Sequence, residues 1–157
     1  MVDFHSPAWL RKERKLLKRL RRGDRAALGE LYEVLAPALY RRVILSRVQA
    51  EDLAEDVLAD TFITAVERID DFEERGKSIF AWLARIAVNK AMDVHRRQAR
   101  KQRAADRLKQ EDQALPSAEV DAAEALSAAE GRAEERRRLD KALDGLNARY
   151  RQALDLR

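Results

Sequence analysis

The chain has 157 residues, which suits one ordinary domain with a short appendage. Lys and Arg number 32 against 28 Asp and Glu, so the net charge of +4 matters less than where the charges lie. The absence of cysteine excludes disulfides, thiol catalysis and cysteine-based metal sites, and two histidines make a histidine cluster improbable. We expect no cofactor and no metal. Since no stretch approaches the ~20 apolar residues of a membrane span, we expect a soluble cytoplasmic protein.

Few glycines and prolines, and no long alternation of apolar and polar residues, predict an all-helical fold. Ser6 and Pro7 predict the start of a basic first helix that ends near Gly23. Asp24 then predicts the cap of a second helix, which Pro37 is expected to kink or to replace with a new helix.

A third helix is predicted over about residues 51–70. Its apolar positions predict a buried side made of Leu58, Phe62, Ala65 and Ile69. Its outward stripe is predicted to carry Asp56, Asp60, Ile63 and Glu67. Like charges one turn apart repel by ~0.2–0.5 kcal/mol per pair, so an apolar residue among them indicates a surface for a basic partner. A scattered surface isoleucine beside acids that favour the helix start explains the pattern equally well.

A basic loop at 73–78 follows, with Ser78 placed to cap a fourth helix. The helical spacing predicts a buried stripe on that helix, made of Ile79, Leu83, Ile86, Ala87, Ala91 and Val94. The opposite face is predicted to carry Trp82, Arg85, Asn89, Asp93, Arg96, Arg100 and Arg103.

This opposite face has the composition of a nucleic-acid surface. Arginine binds phosphate or guanine, asparagine reads adenine, and an exposed indole offers a stacking surface to a base. A solvated helix face stabilised by pairs such as Asp93 with Arg97 is the alternative, and Trp82 is then a core residue.

From residue 98 the basic helix is expected to continue briefly before the composition turns to alanine and acids. Residues 104–126 are predicted to form a flexible linker that contains Pro116. Ser127 and Glu130 predict a capping box for a final helix. The stripe of that final helix is predicted to consist of Leu139, Leu143, Leu146, Tyr150 and Leu154.

Catalysis finds no support in the sequence, because it contains no Gly-rich phosphate loop, no HExxH helix and no Ser-His-Asp set. The stretches "GDRAALGELYEVLAPALYRR", "AEDVLADTFITAVERIDDF" and "FAWLARIAVNKAMDVHRR", in this order, resemble the second conserved domain of bacterial sigma factors of the extracytoplasmic-function (ECF) group. The resemblance implies a helical bundle that binds the clamp helices of core RNA polymerase. It also implies recognition and melting of the minus-ten promoter element through the non-template strand, and an anti-sigma factor as a further partner.

Carried over by position, the resemblance implies a polymerase-binding surface of Asp56, Asp60, Ile63 and Val66. It implies a DNA-binding surface of Arg75, Lys77, Ser78, Trp82, Arg85, Asn89 and Arg96. The expected domains are sigma domain 2 with its N-terminal helix over 1–103, the linker over 104–126 and the first part of sigma domain 4 over 127–157. The family's C-terminal helix-turn-helix is expected after this part and is absent, either through truncation or because the protein works without it. A helical adaptor that binds only proteins is the alternative function.

Overall fold

The structure is a computed structural model that describes residues 1–111 and 120–155, and in the last helix the side chains of residues 129–149 and 152. Over these described residues it has five α-helices: α1 (Pro7–Arg21), α2 (Arg25–Leu39), α3 (Glu51–Glu67), α4 (Phe80–Glu111) and α5 (Val120–Asp155). A π-helical turn, Tyr40–Ile44, follows α2, and a short 3-10 turn, Ile69–Asp71, follows α3. The prediction of an all-helical fold is confirmed for the described residues.

The predicted caps of the first two helices are present. The Ser6 hydroxyl accepts a hydrogen bond from the Trp9 amide at 3.2 Å, and Pro7 begins α1. The Asp24 carboxylate accepts from the amides of Ala26 and Ala27, which satisfies donors that a helix start leaves unpaired.

Pro37 does not end α2. The helix continues to Leu39 and then widens into the π-helical turn, whose bond from the Leu45 amide to the Tyr40 carbonyl measures 2.9 Å. A proline cannot donate to the preceding turn, and a local change of helical pitch is one way to keep the chain helical beyond it.

The later helices are longer than the sequence predicts. Helix α4 runs without a break to Glu111, and α5 already begins at Val120, so much of the expected linker is helical. Residues 112–119, including Pro116, lie outside the described residues. The capping box predicted at Ser127 and Glu130 is wrong, because both residues lie inside α5.

The core lies among α1, α2, α3 and α4, and α5 packs across the outside of α3, where its Leu143 and Leu146 join the core. The predicted buried sides of α3 and α4 are confirmed, except that Val94 is only partly buried. The final stripe is confirmed at Leu143 and Leu146, which are buried, whereas Leu139 is partly buried and Tyr150 and Leu154 lie outside the described side chains. The largest completely buried side chains are Leu17, Leu35, Leu39, Ile44, Ile69, Leu83, Leu146, Val57, Val66 and Thr61.

The turn between α1 and α2 touches α5 at Gly23. This glycine has φ of 83°, and a Cβ added to it would lie 2.8 Å from the Asn147 Cβ and 3.1 Å from the Leu143 carbonyl oxygen. Gly76 has a similar φ of 71°, but a Cβ there would meet nothing within 4 Å. Both positions therefore need the left-handed backbone conformation that glycine adopts easily, but only Gly23 lies against another helix.

We expect Gly23→Ala to loosen α5, because it adds a steric clash to the ~1–2 kcal/mol cost of a left-handed residue with a side chain. Gly76→Ala is the matched control that carries the backbone cost alone. Hydrogen exchange should accelerate across residues 139–149 in Gly23→Ala and not in Gly76→Ala. Equal exchange of α5 in both variants would contradict the packing described.

Candidate functional site

The α3–α4 loop, residues 72–79, connects the two helices that carry most of the predicted site. Ser78 caps α4 as predicted, accepting a hydrogen bond from the Phe80 amide at 3.2 Å. Its hydroxyl also donates to the Glu13 carboxylate at 2.6 Å, and the residue is buried. The prediction that Ser78 lies on the DNA-binding surface is therefore corrected, since its hydroxyl faces α1 and already has its donor in use.

Glu13 is the residue that sequence reasoning missed. It is 3% exposed, and its carboxylate accepts from the Trp9 indole at 2.7 Å and from the Ile79 amide at 2.8 Å, besides the Ser78 hydroxyl. Burial raises the pKa of Glu13 above its usual value, although these hydrogen bonds oppose the rise. The signal was in the sequence, because Glu13 is the acidic residue on the stripe of α1 that otherwise holds Trp9, Leu16 and Leu20.

The other end of the loop is also attached to α1. The Arg21 guanidinium donates to the Phe72 carbonyl oxygen and to the Glu74 carboxylate, both at 2.9 Å. Arg14 lies 3.3 Å from the same carboxylate. Ionised partners strengthen such hydrogen bonds, so α1 holds the loop at both ends.

The remaining residues predicted to bind DNA lie on the loop and on α4, and all of them except the partly buried Trp82 are exposed. Arg85, Asn89 and Lys77 are exposed, and Arg96 pairs with Asp93 at 3.2 Å on the same helix. Arg75 is 80% exposed at its side chain and pairs with Glu73. Arg85, Asn89 and Arg96 share one face of α4 by their helical spacing and are all exposed, and their binding of DNA stays a prediction.

Trp82 has an intermediate position on this face. It is partly buried and its ring packs against Phe72, with 5.7 Å between ring centroids. Part of the indole therefore belongs to the core packing, while the rest remains accessible beside the loop.

The acidic surface of α3, defined as Asp56, Asp60, Ile63 and Glu67, is contacted by α5, although Asp56 remains exposed. Asp60 pairs with Lys90 of α4 at 2.8 Å and with Arg138 of α5 at 3.0 Å. Arg138 also reaches Glu67 at 3.2 Å. One arginine of α5 thus binds two of the carboxylates that were predicted to await a basic partner.

Ile63 is not exposed as its place on the outward stripe predicted. It is 4% exposed, it lies outside the main core cluster, and it faces a groove shared with Leu139 and Leu143 of α5. The prediction failed because it considered α3 without a neighbour on its outer side. The isoleucine is an apolar contact point, and in this structure α5 covers it.

Val66 requires a different correction. It is 1% exposed and lines a small internal gap together with Leu20, Leu31 and Leu35. Its side chain points into the bundle, so its assignment to an accessible docking surface is wrong.

The contact between α3 and α5 contains repulsion as well as attraction. Burial raises the pKa of Glu135, and the nearby Asp56 and Asp60 raise it further. Burial and then Asp52 raise the pKa of Asp56, which Arg132 partly offsets. Like charges facing each other across this contact weaken the hold of α5 on α3.

Comparison with known proteins identifies the region that contains these surfaces. The family model for sigma-70 region 2 matches residues 31–101, which include all of α3, the α3–α4 loop and the exposed face of α4. Over these residues the chain is similar to proteins of the sigma-70 family.

Its relatives among curated proteins include several RNA polymerase sigma factors. It is 37% identical over 79 residues to the ECF RNA polymerase sigma factor BldN of Streptomyces coelicolor, covering 50% of this chain and 30% of that protein. It is 36% identical over 81 residues to the RNA polymerase sigma factor NccH of Alcaligenes xylosoxydans xylosoxydans, covering 52% and 42%. The ECF RNA polymerase sigma factor SigD of Mycobacterium tuberculosis is 37% identical over 81 residues, covering 47% and 36%.

The matched part of this chain therefore spans less than half the length of these relatives. No solved structure matches the chain. Among the described helices, none is long and apolar enough to cross a membrane. The matched family region leaves out two elements that contact the candidate surfaces: α1, which holds the loop, and α5, which covers α3.

Proposed function

We propose that this chain is an alternative sigma factor that binds core RNA polymerase in the cytoplasm and directs transcription by recognising and melting the minus-ten element. The observation that supports this most strongly is that one family-matched region holds an acidic surface and a basic, asparagine-bearing surface on different helices. Its role is one of binding and strand separation rather than catalysis.

The acidic surface of α3 is the proposed docking site for the clamp helices of the polymerase. Asp56 is exposed, and Asp60 and Glu67 already bind an arginine of this chain, which favours a partner that also carries basic side chains. Ile63 supplies an apolar anchor between the charges. Because α5 covers this anchor, docking requires α5 to leave α3.

The proposed promoter surface consists of Arg75 and Lys77 in the loop with Trp82, Arg85, Asn89 and Arg96 on α4. The arginines and the lysine supply contacts to phosphates, which bind any sequence. Asn89 supplies base choice, and the accessible part of Trp82 supports an unstacked base of the non-template strand.

A helical adaptor that binds proteins and no DNA remains the second candidate. Such an adaptor would use the same acidic surface of α3 to bind a protein. The exposed face of α4 would then contact only solvent. Binding of promoter DNA therefore separates the two functions, whereas binding of a protein partner does not.

We expect Asp60→Arg combined with Ile63→Ala to weaken binding to core polymerase by roughly thirtyfold or more, the scale of an interface hot spot. Competition binding measures this, together with transcription by core polymerase from a forked template already opened at the minus-ten region. Arg138→Ala is the control, because it breaks the same ion pair from the α5 side and leaves α3 intact. It should keep or raise affinity for the polymerase. Unchanged core affinity in the double variant would refute docking at α3.

We expect Arg96→Ala and Asn89→Ala to fail in different ways. Loss of Arg96 should lower affinity for all single-stranded oligonucleotides alike and reduce the salt slope by about one contact. Loss of Asn89 should relax discrimination at one base by ~1–3 kcal/mol. Arg137→Ala is a matched control, since Arg137 is an exposed arginine paired with Glu134 three residues away, as Arg96 is with Asp93.

The measurement is binding of non-template oligonucleotides across a salt series. If neither Arg96→Ala nor Asn89→Ala differs from Arg137→Ala in affinity, salt slope or base preference, α4 presents only a solvated face and the adaptor is the better account.

An anti-sigma factor is the remaining expected partner, and we propose that it covers Asp56, Asp60 and Ile63. A surface that binds polymerase must be blocked when transcription is to stop. The contact of α5 with this surface brings Glu135 close to Asp56 and Asp60, so a separate inhibitor is the better candidate for blocking it. Hydrogen exchange of the complex should show added protection over α3. Protection confined to α1 would place the inhibitor elsewhere.

A further inference from the structure

The α3–α4 loop is attached to α1 at both of its ends, in addition to its contacts with α4 through Phe72 and Ser78. At its start the Arg21 guanidinium binds the Phe72 carbonyl oxygen, and at its end the Glu13 carboxylate binds the Ile79 amide. The exposed residues Arg75, Gly76 and Lys77 lie between these two attachments. A short segment fixed at both ends has few conformations left, so α1 limits where these residues point.

Glu13 is chemically suited to this task. An ionised carboxylate only accepts hydrogen bonds, and a buried one is costly unless donors surround it. The loop provides two such donors, the Ser78 hydroxyl and the Ile79 amide, at 2.6 and 2.8 Å. The Trp9 indole, at 2.7 Å, holds the carboxylate from the side of α1. The loop cannot shift without removing donors from this buried carboxyl group.

Ser78 transmits this position to α4. Its hydroxyl joins Glu13 to the Phe80 amide in the first turn of the helix. Trp82 lies in the same turn and Arg85 in the next, so the loop and the start of the proposed promoter surface share one attachment point.

We infer that Glu13 is a positioning residue for promoter reading: from α1, outside the family-matched region, it sets the geometry with which the α3–α4 loop presents Arg75 and Lys77 to bases. This inference rests on the proposed promoter-binding function. It predicts that sequence selectivity depends on a residue that touches no DNA.

Glu13→Gln and Glu13→Ala test this role. Glutamine keeps the shape of the side chain but replaces one acceptor oxygen with a donor group, so it cannot serve all three donors. Two control variants distinguish loss of loop positioning from a general loss of stability and from the loss of a charge on α1. Leu39→Ala truncates a completely buried residue of α2 and destabilises the bundle, and Lys15→Ala removes an exposed charge from α1.

The probe is a single-stranded DNA library, randomised over a short window and selected by the chain bound to core polymerase. The selected oligonucleotide and its single-base variants are then titrated against each protein. Glu13→Ala should reduce the affinity ratio between selected and mismatched oligonucleotides about tenfold, with core affinity unchanged. Glu13→Gln should reduce it less, and both should speed exchange of the Ile79 amide. Leu39→Ala and Lys15→Ala should keep the ratio of the unmodified chain.

The inference and the proposed function fail in different ways. If the unmodified chain selects no sequence, the proposed promoter function is wrong. If it selects a sequence and Glu13→Gln and Glu13→Ala select the same one with the same ratio, only the positioning role is wrong. If Glu13→Ala does not fold at the working temperature, Glu13→Gln and Arg21→Ala decide, because each disturbs one attachment of the loop. Selectivity lost equally in Leu39→Ala would show that general loosening, not Glu13, is responsible.

Discussion

The buried carboxylate of Glu13 is the constraint on which the candidate promoter surface depends. A carboxyl group buried inside a small helical bundle needs hydrogen-bond partners, and here they come from the end of the α3–α4 loop and from Trp9. The loop therefore adopts a fixed path over α1 although most of its residues are polar. The exposed Arg75 and Lys77 lie between the two ends of the loop that α1 holds.

A second constraint acts on the opposite side of the bundle. Asp60 joins three helices, because it pairs with Lys90 of α4 and with Arg138 of α5. The same contact brings Glu135 against Asp56 and Asp60, so attraction and repulsion occur within one small area. A basic partner that displaces α5 must replace these ion pairs and also offset the exposure of Leu143 and Leu146, which are buried in the free chain.

Sequence periodicity predicted most of the bundle because one apolar stripe per helix determines which side is buried. Periodicity correctly predicted that Leu58, Phe62 and Ala65 of α3 are buried. Residue type correctly predicted the helix caps at Ser6 and Asp24. Periodicity misjudged Ile63, since a pattern within one helix does not reveal that a helix distant in sequence will cover it.

The candidate site was less predictable than the fold for the same reason. The family resemblance placed Val66 on the surface, although its side chain lies in the core. Ser78 was correctly predicted as a cap, but its bond to Glu13 joins residues 65 positions apart, which no local pattern encodes. The exposure of Arg85, Asn89 and Arg96 was easier to predict, because the exposed face of a helix follows directly from the position of its apolar stripe.

We propose that core polymerase and α5 compete for the acidic surface of α3. The chain has no cysteine, so two introduced at the exposed positions Glu33 of α2 and Arg137 of α5 can carry a fluorescent donor and acceptor. Energy transfer between them should be high in the free chain and should fall as core polymerase is added, in parallel with binding measured by anisotropy. Full binding of the polymerase with no change in energy transfer would show that α5 stays on α3, which would contradict the claim.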